Sequence, residues 1–138
     1  MLTWLREQCR RLRAGPATPA AHTSELGARA EEFAAHHLRQ QGYHIDQRNL
    51  RLRQGEVDMI ALHEGWLVVV EVRSYKQGSP LPPHATLSRE KQARLRRLAE
   101  EVRKRQGRTA LPVRIDLVEV GTDASDQPVT AEVFRGAC

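Results

Sequence analysis

Apolar residues recur along the chain in two rhythms, one of about 3.6 residues and one of two, and the switches between them mark out the elements. Leu26, Ala30, Phe33, Ala34, His37 and Leu38 share one helical face, which predicts a first helix over residues 24–41. Thr23 or Ser24 can cap its start and Gly42 suits its end. Residues 43–50 read as a short strand with Tyr43 and Ile45 apolar. The stretch GEVDMIALHEGWLVVVEVR, residues 55–73, reads as two strands over 56–62 and 66–73, apolar on both faces. Leu95, Leu98, Ala99 and Val102 form the buried stripe of a second helix over 88–106, with Gly107 in a C-cap position. Residues 113–120, VRIDLVEV, predict a strand with Val113, Ile115, Leu117 and Val118 turned inward, and 129–134 a last, edge strand.

The order is α–β–β–β–α–β–β, with a strand–helix–strand unit joining the hairpin to 113–120. An α/β fold follows, with a central mixed sheet flanked by helices on both faces. That packing explains hairpin strands that are apolar on both sides. Residues 74–84, SYKQGSPLPPH, contain a glycine and three prolines and predict a loop. A loop this long beside charged strand ends is often functional. Residues 14–22, AGPATPAAH, read as a linker, so 1–22 form a basic extension and 23–138 a single domain. Leu2, Leu5, Cys9 and Leu12 have helical spacing, which suits a short basic helix or a surface extension.

Length and composition bound the function without fixing it. A chain of 138 residues builds one core without a metal or disulfide staple. The net charge of +5 favours anionic partners such as nucleic acid. The two cysteines, Cys9 and Cys138, form no C-x-x-C pair, so free thiols and a cytoplasmic location are expected. No apolar run approaches the ~18 residues of a membrane span, and no secretory signal pattern opens the chain.

The hairpin carries the chemistry. With Glu64-Gly65 as the central turn residues, His63 pairs with Trp66, Asp58 falls opposite Glu71, and Glu56 opposite Arg73. Alternation puts those four on one face with Ile60, Leu62, Leu67 and Val69. Val57, Met59, Ala61, Val68, Val70 and Val72 line the other. Like charges directly opposed across a sheet are destabilising. Something positive must therefore sit between the two carboxyls: a metal ion, a shared proton, or the Arg73 side chain. Oxygen donors suit Mg²⁺ or Mn²⁺, the ions of phosphodiester hydrolysis. A structural ion network of Glu56, Arg73 and Glu71 is the competing reading.

These residues also carry a resemblance. GEVDMIAL…LVVVEVRSY resembles the Asp…(Asp/Glu)-x-Lys core, PD-(D/E)XK, of the restriction-endonuclease-like superfamily. More closely, the chain resembles the bacterial YraN-like family, uncharacterised protein family 0102. LGARAEEFAAHHLRQQGYHIDQRNLR is similar to that family's opening helix and its Gly-Tyr…Arg-Asn strand. GEVDMIA is similar to its Gly-Glu-Ile-Asp-Leu-Ile-Ala motif, and VVVEVR to its Val-Phe-Val-Glu-Val-Lys motif. REKQARLRRLAEEV and VRIDLVEV resemble the following helix and the Arg-Phe-Asp strand, so the likeness spans about residues 24–120. It implies a nuclease-like fold related to archaeal Holliday-junction resolvases. The implied activity is Mg²⁺- or Mn²⁺-dependent hydrolysis of DNA, branched or single-stranded, by a homodimer like the resolvases. Asp58 and Glu71 are the implied metal ligands, and Glu31 matches a helix glutamate expected beside the metal. The family's glycine before that glutamate is Ala30 here, its motif lysine is Arg73, and the arginine two positions on is Tyr75. Arginine cannot act as a base, though it can clamp a phosphate with two hydrogen bonds. The expected catalytic set is Glu31, Asp58, Glu71 and Arg73, with Glu31, Asp58 and Glu71 at the metal. A catalytically silent nucleic-acid-binding protein is the alternative, and a basic helix meeting an acidic protein a third.

Other residues complete the picture. The second helix carries eight Lys or Arg between Arg89 and Arg105 and can track a phosphate backbone or simply be solvated. Lys91, which matches the family's lysine in this helix, and Arg94 are its candidate nucleic-acid contacts. Lys76 and Gln77, after the hairpin, are the others. Arg114 and Asp116 read as structural, and the six histidines lack metal-ligand spacing.

Overall fold

A computed structural model of the protein describes residues 25–80, 87–105 and 111–138. The elements are α1 (Glu25–Gln40), β1 (His44–Leu52), β2 (Gly55–His63), β3 (Trp66–Lys76), α2 (Arg89–Arg105), β4 (Val113–Thr122) and β5 (Pro128–Phe134). Order and type follow the hydrophobic pattern. The basic extension, its linker and Gly107 lie outside the described residues.

The five strands form one sheet in the order β1-β2-β3-β4-β5. All neighbours are antiparallel except β3 and β4, which are parallel and joined through α2. Each helix covers one face. Ala30, Ala34, Ala35 and Leu38 of α1 pack on Met59, Ala61, Val68, Val70, Val118 and Val120. Leu95, Leu98, Ala99 and Val102 of α2 pack on Leu50, Leu52, Ile60, Leu62, Leu67, Val69 and Ile115. Both faces of β2 and β3 are therefore core, which is why neither strand alternates apolar with polar. This is an α/β arrangement, a mixed sheet between helices, consistent with a restriction-endonuclease-like fold. Among the described residues no helix is long and apolar enough to cross a membrane.

Two departures from the simple pattern shape the site. The first is at Asn49, whose φ is +52°. Arg48 and Leu50 are two residues apart yet face opposite helices: Arg48 bonds Glu32 of α1, and Leu50 joins the α2 core. The left-handed residue flips the strand, and Asp58 lies across from it, between the pairs Arg48↔Met59 and Leu50↔Val57. Val57 accordingly packs with Leu50, Leu52 and Ile60 rather than with Met59 and Ala61, as strict alternation predicts. The second departure is the length of β3. Ser74, Tyr75 and Lys76 are not loop but strand, held by the pairs Ser74↔Val120, Tyr75↔Gly121 and Lys76↔Thr122. The long parallel partner supplies a ladder that local composition does not reveal. A side chain at Gly121 would put Cβ 2.4 Å from Thr130 Oγ1 and 3.2 Å from the Tyr75 hydroxyl, so glycine there spares Thr130 a change of rotamer and leaves room for Tyr75.

The far end of α2 holds the β1–β2 turn. The Glu101 carboxylate accepts the N–H groups of Arg53 at 2.8 Å and Gln54 at 2.9 Å. Leu98, one turn earlier, lies 3.7 Å from where a side chain at Gly55 would begin.

Candidate active site

The β2–β3 hairpin turns at Glu64 and Gly65, both with positive φ, as a two-residue primed turn requires. That turn fixes the register, and Met59↔Val70 through His63↔Trp66 pair as the sequence predicts. Beyond Met59 and Val70 the two strands part. The rest of β2 stays with β1, through Val57, Glu56 and Gly55. The rest of β3 stays with β4, from Glu71 onward. The sheet forks, and Asp58 and Glu71 are the first residues past the split.

Asp58 fills the crotch of the fork. Its Oδ2 accepts the Val72 N–H at 2.7 Å, a donor that the β2–β3 ladder no longer engages. The expected opposition of Glu56 and Arg73 does not form, because the strands have diverged by then. Glu56 instead pairs with Arg51, its neighbour across the β1–β2 ladder, at 2.9 Å. Arg73 is half-buried on β3, in register with Glu119 of β4.

Asp58 lies within electrostatic reach of two other acids, Glu71 of β3 and Glu31 of α1. Burial raises the Asp58 carboxyl most, the Glu71 charge raises it further, the Val72 N–H opposes, and Glu31 of α1 adds to the rise. The result is a carboxyl pushed up to about 7. Glu71 is buried, and Glu31 Oε2 is shielded from solvent. The cation on Glu71 is Lys91: its Nζ lies 2.6 Å from Oε1. Charge at the fork is thus balanced by an ammonium from α2 and by the proton that Asp58 retains. The sequence placed Lys91 among the nucleic-acid contacts and made it the first candidate for a second cation, without indicating which carboxylate it meets.

The donor set fits a hard divalent ion in one form only. Among the described residues no three carboxylate, imidazole or thiol groups converge tightly enough to hold a metal between them. Mg²⁺ and its kin are commonly held by one or two carboxylates, with water and substrate phosphate completing the shell. Asp58 and Glu71 suit that arrangement, with Glu31 near by.

The remaining predicted contacts divide. Arg94 is exposed on α2, in a groove of about 520 Å³ that Lys91 and Arg97 also line. A second groove of about 550 Å³ continues from Arg97 to Arg96, Lys104 and, on the β1–β2 turn, Arg53. Lys76 and Gln77 are elsewhere: the extended β3 carries them about 17 Å past Glu71. Lys76 pairs there with Asp126 at 3.4 Å, and the Gln77 N–H donates to the Thr122 carbonyl.

A second polar cluster occupies the other end of the hairpin. Asp116, fully buried, accepts from Tyr43 OH at 2.7 Å, from both Arg114 Nε and an Arg114 terminal nitrogen at 2.8 Å, and from the Gly136 N–H at 3.0 Å. His63 stacks on Tyr43 with centroids 3.8 Å apart, and its Nδ1 lies 2.9 Å from the Arg114 guanidinium. Burial and the Asp116 bond push the Tyr43 hydroxyl up to about 12, and burial pushes the His63 ring down. The carboxylate is satisfied on every side, which agrees with a structural role for Arg114 and Asp116. The alternating Arg-x-Asp of β4 was the visible signal; Tyr43 and His63 gave none.

Residues 30–120 match the family described as "Uncharacterised protein family UPF0102". The UPF0102 protein of Clavibacter michiganensis subsp. michiganensis is 40% identical over 114 residues, covering 83% of this chain and 96% of that protein. The one from Rhodococcus jostii is 40% identical over 108 residues, covering 78% and 92%. The one from Symbiobacterium thermophilum is 41% identical over 95 residues, covering 69% and 80%. With most of its opening helix and all of the hairpin and second helix inside the matched span, the chain belongs to the UPF0102 family, the YraN-like family.

Proposed function

We propose that the protein is a divalent-metal-dependent nuclease that hydrolyses phosphodiester bonds in DNA at the fork between β2 and β3. One observation carries this reading: Asp58 and Glu71 stand side by side where β2 and β3 part, with Asp58 held by the Val72 N–H and Glu71 buried against Lys91. Two neighbouring buried carboxyls call for a counter-charge, and a divalent ion would supply it beside Lys91. Perturbed carboxyls of this kind cluster at functional sites.

Asp58 and Glu71 would hold Mg²⁺ or Mn²⁺, with Glu31 beside them. The ion when bound neutralises phosphate charge and makes water a better nucleophile. The Val72 N–H anchors one Asp58 oxygen and so orients the other. Arg73, two residues beyond Glu71 on β3, would clamp the scissile phosphate with paired hydrogen bonds and stabilise its developing charge. Because arginine keeps its proton, this is charge stabilisation and not base catalysis. Arg94, Arg97 and Lys104 on α2, with Arg53 across the groove, would hold flanking phosphates. A homodimer would offer two such forks to a branched substrate.

The silent-binder reading keeps one observation of its own, the Lys91 ammonium already seated on Glu71. One assay separates the two. Labelled single-stranded, duplex and branched DNA are incubated with the protein in Mn²⁺, Mg²⁺ or EDTA, beside Asp58→Ala and Arg73→Lys. Metal-dependent cleavage that Asp58→Ala abolishes is the expected result. DNA binding without cleavage, indifferent to Asp58→Ala, would leave the silent binder. A rise in cleavage with Arg73→Lys would mark the natural protein as an impaired nuclease.

A further inference from the structure

We infer that the lysine of this active site is Lys91, delivered from α2, and that it couples metal binding to substrate binding: its ammonium rests on Glu71 and would pass to the scissile phosphate when a metal takes that carboxylate. The inference rests on the nuclease reading and names the moving cation within it.

The geometry begins with the helix. Lys91, Leu95, Leu98 and Val102 are spaced by four, three and four residues, so the backbone aims Lys91 along the buried stripe of α2. A lysine in that row reaches the fork rather than solvent. Its Nζ is 2.6 Å from Glu71 Oε1, and the two side chains are only 29% and 9% exposed. An ion pair so enclosed is screened little by salt.

Lys91 also belongs to both the fork and the groove that Arg94 and Arg97 line. Its flexible four-carbon stem lets the ammonium swing while the backbone stays fixed, which the planar fork of an arginine on a strand does not offer. A metal held by Glu71 would share that carboxylate with the ammonium. Two cations on one carboxylate repel, so metal alone binds against Lys91. A phosphate entering from the groove gives the ammonium another anion, and the opposition to the metal is removed. Metal and phosphodiester therefore favour each other, and by linkage each tightens the other by the same factor.

The test titrates Mn²⁺ into the full chain, by calorimetry at a temperature where it is folded, with and without a short phosphorothioate oligonucleotide. In the wild type the oligonucleotide should lower the Mn²⁺ midpoint about tenfold, an ordinary size for such coupling. In Lys91→Met, Mn²⁺ alone should bind about tenfold tighter than in the wild type, and the oligonucleotide should no longer shift it. Lys91→Gln, which can still hydrogen-bond Glu71, is measured beside it in case the apolar variant does not fold. Mn²⁺ binding by the variants but not by the metal-only wild type would support the inference in its strongest form. Equal midpoints in wild type and both variants would overturn it and leave the nuclease reading standing. No Mn²⁺ binding by any of the three would overturn both.

Discussion

Ionising Asp58 costs the fold, because the charge is buried and faces two others. The sign follows from the direction of its shift. A carboxyl raised from 3.8 to about 7 adds stability below its ordinary value, and that contribution is lost as pH rises through about 7. Asp58→Asn stays neutral throughout and can still accept the Val72 N–H. It should be more stable than the wild type at pH 8 by on the order of 1–2 kcal/mol, a rise in melting temperature of about 3–6 °C. Thermal melts from pH 4 to pH 8 should show the advantage vanish at the acid end. A gain that is the same at every pH would mean that the Asp58 charge is not its source. Arg73 makes a different demand, since its assigned work is on the phosphate. Arg73→Ala should cut cleavage about a hundredfold while the Mn²⁺ midpoint stays near the wild-type value. A large move in that midpoint would place Arg73 at the metal instead.

At the scale of elements, α2 acts as a splint whose two ends do separate jobs. Lys91 addresses the fork, and Glu101 takes two backbone N–H groups from the β1–β2 turn. Glu101→Ala should lower stability by about 1–2 kcal/mol, read from a denaturant midpoint. Loss of the cap should also speed amide exchange at Arg53 and Gln54; unchanged exchange there would show that the turn stands without it. The elements themselves were legible because their signals are local. The leucine stripe of α2 and the Glu64-Gly65 turn each lie within one short window, and that turn set the register from His63↔Trp66 to Met59↔Val70, ending one residue short of Asp58 and Glu71. The fork was not legible, since it depends on β1 and β4 each keeping its own strand. Nor was the flip at Asn49, because alternation has no symbol for one left-handed residue. Lys91 reaches Glu71 across 20 residues of sequence, and Tyr43 reaches Asp116 across 73. No spacing rule spans such gaps, so the family likeness could point to the acids and to Lys91 as a second cation without showing that Lys91 meets Glu71.

Among the described residues, two polar clusters lie at opposite ends of one hairpin. The fork borders a groove through Lys91; the Tyr43–His63–Arg114–Asp116 cluster is closed, its carboxylate bonded on every side. Asp116→Ala would strand the Arg114 guanidinium and should cost about 3 kcal/mol in thermal or denaturant unfolding. The Mn²⁺ response of the folded fraction should not change, because the cluster lies at the far end of β2 and β3. An altered response would show that the two ends communicate. The basic grooves of α2 belong to this scale too. Replacing Arg97 and Lys104 by Gln should lower the slope of log affinity against log salt by about 1 for each phosphate no longer neutralised. An unchanged slope would remove that face from the DNA path.

The split in the sheet has a mechanical side. Five ladder pairs join β2 to β3, whereas ten join β3 to β4. The sheet is therefore two ribbons sewn along a short seam, with α2 laid across both. Asp58 rides on one ribbon and Glu71 on the other. A cation gripped by both would act as one more stitch, at the open end of the seam, where the ladder has already run out.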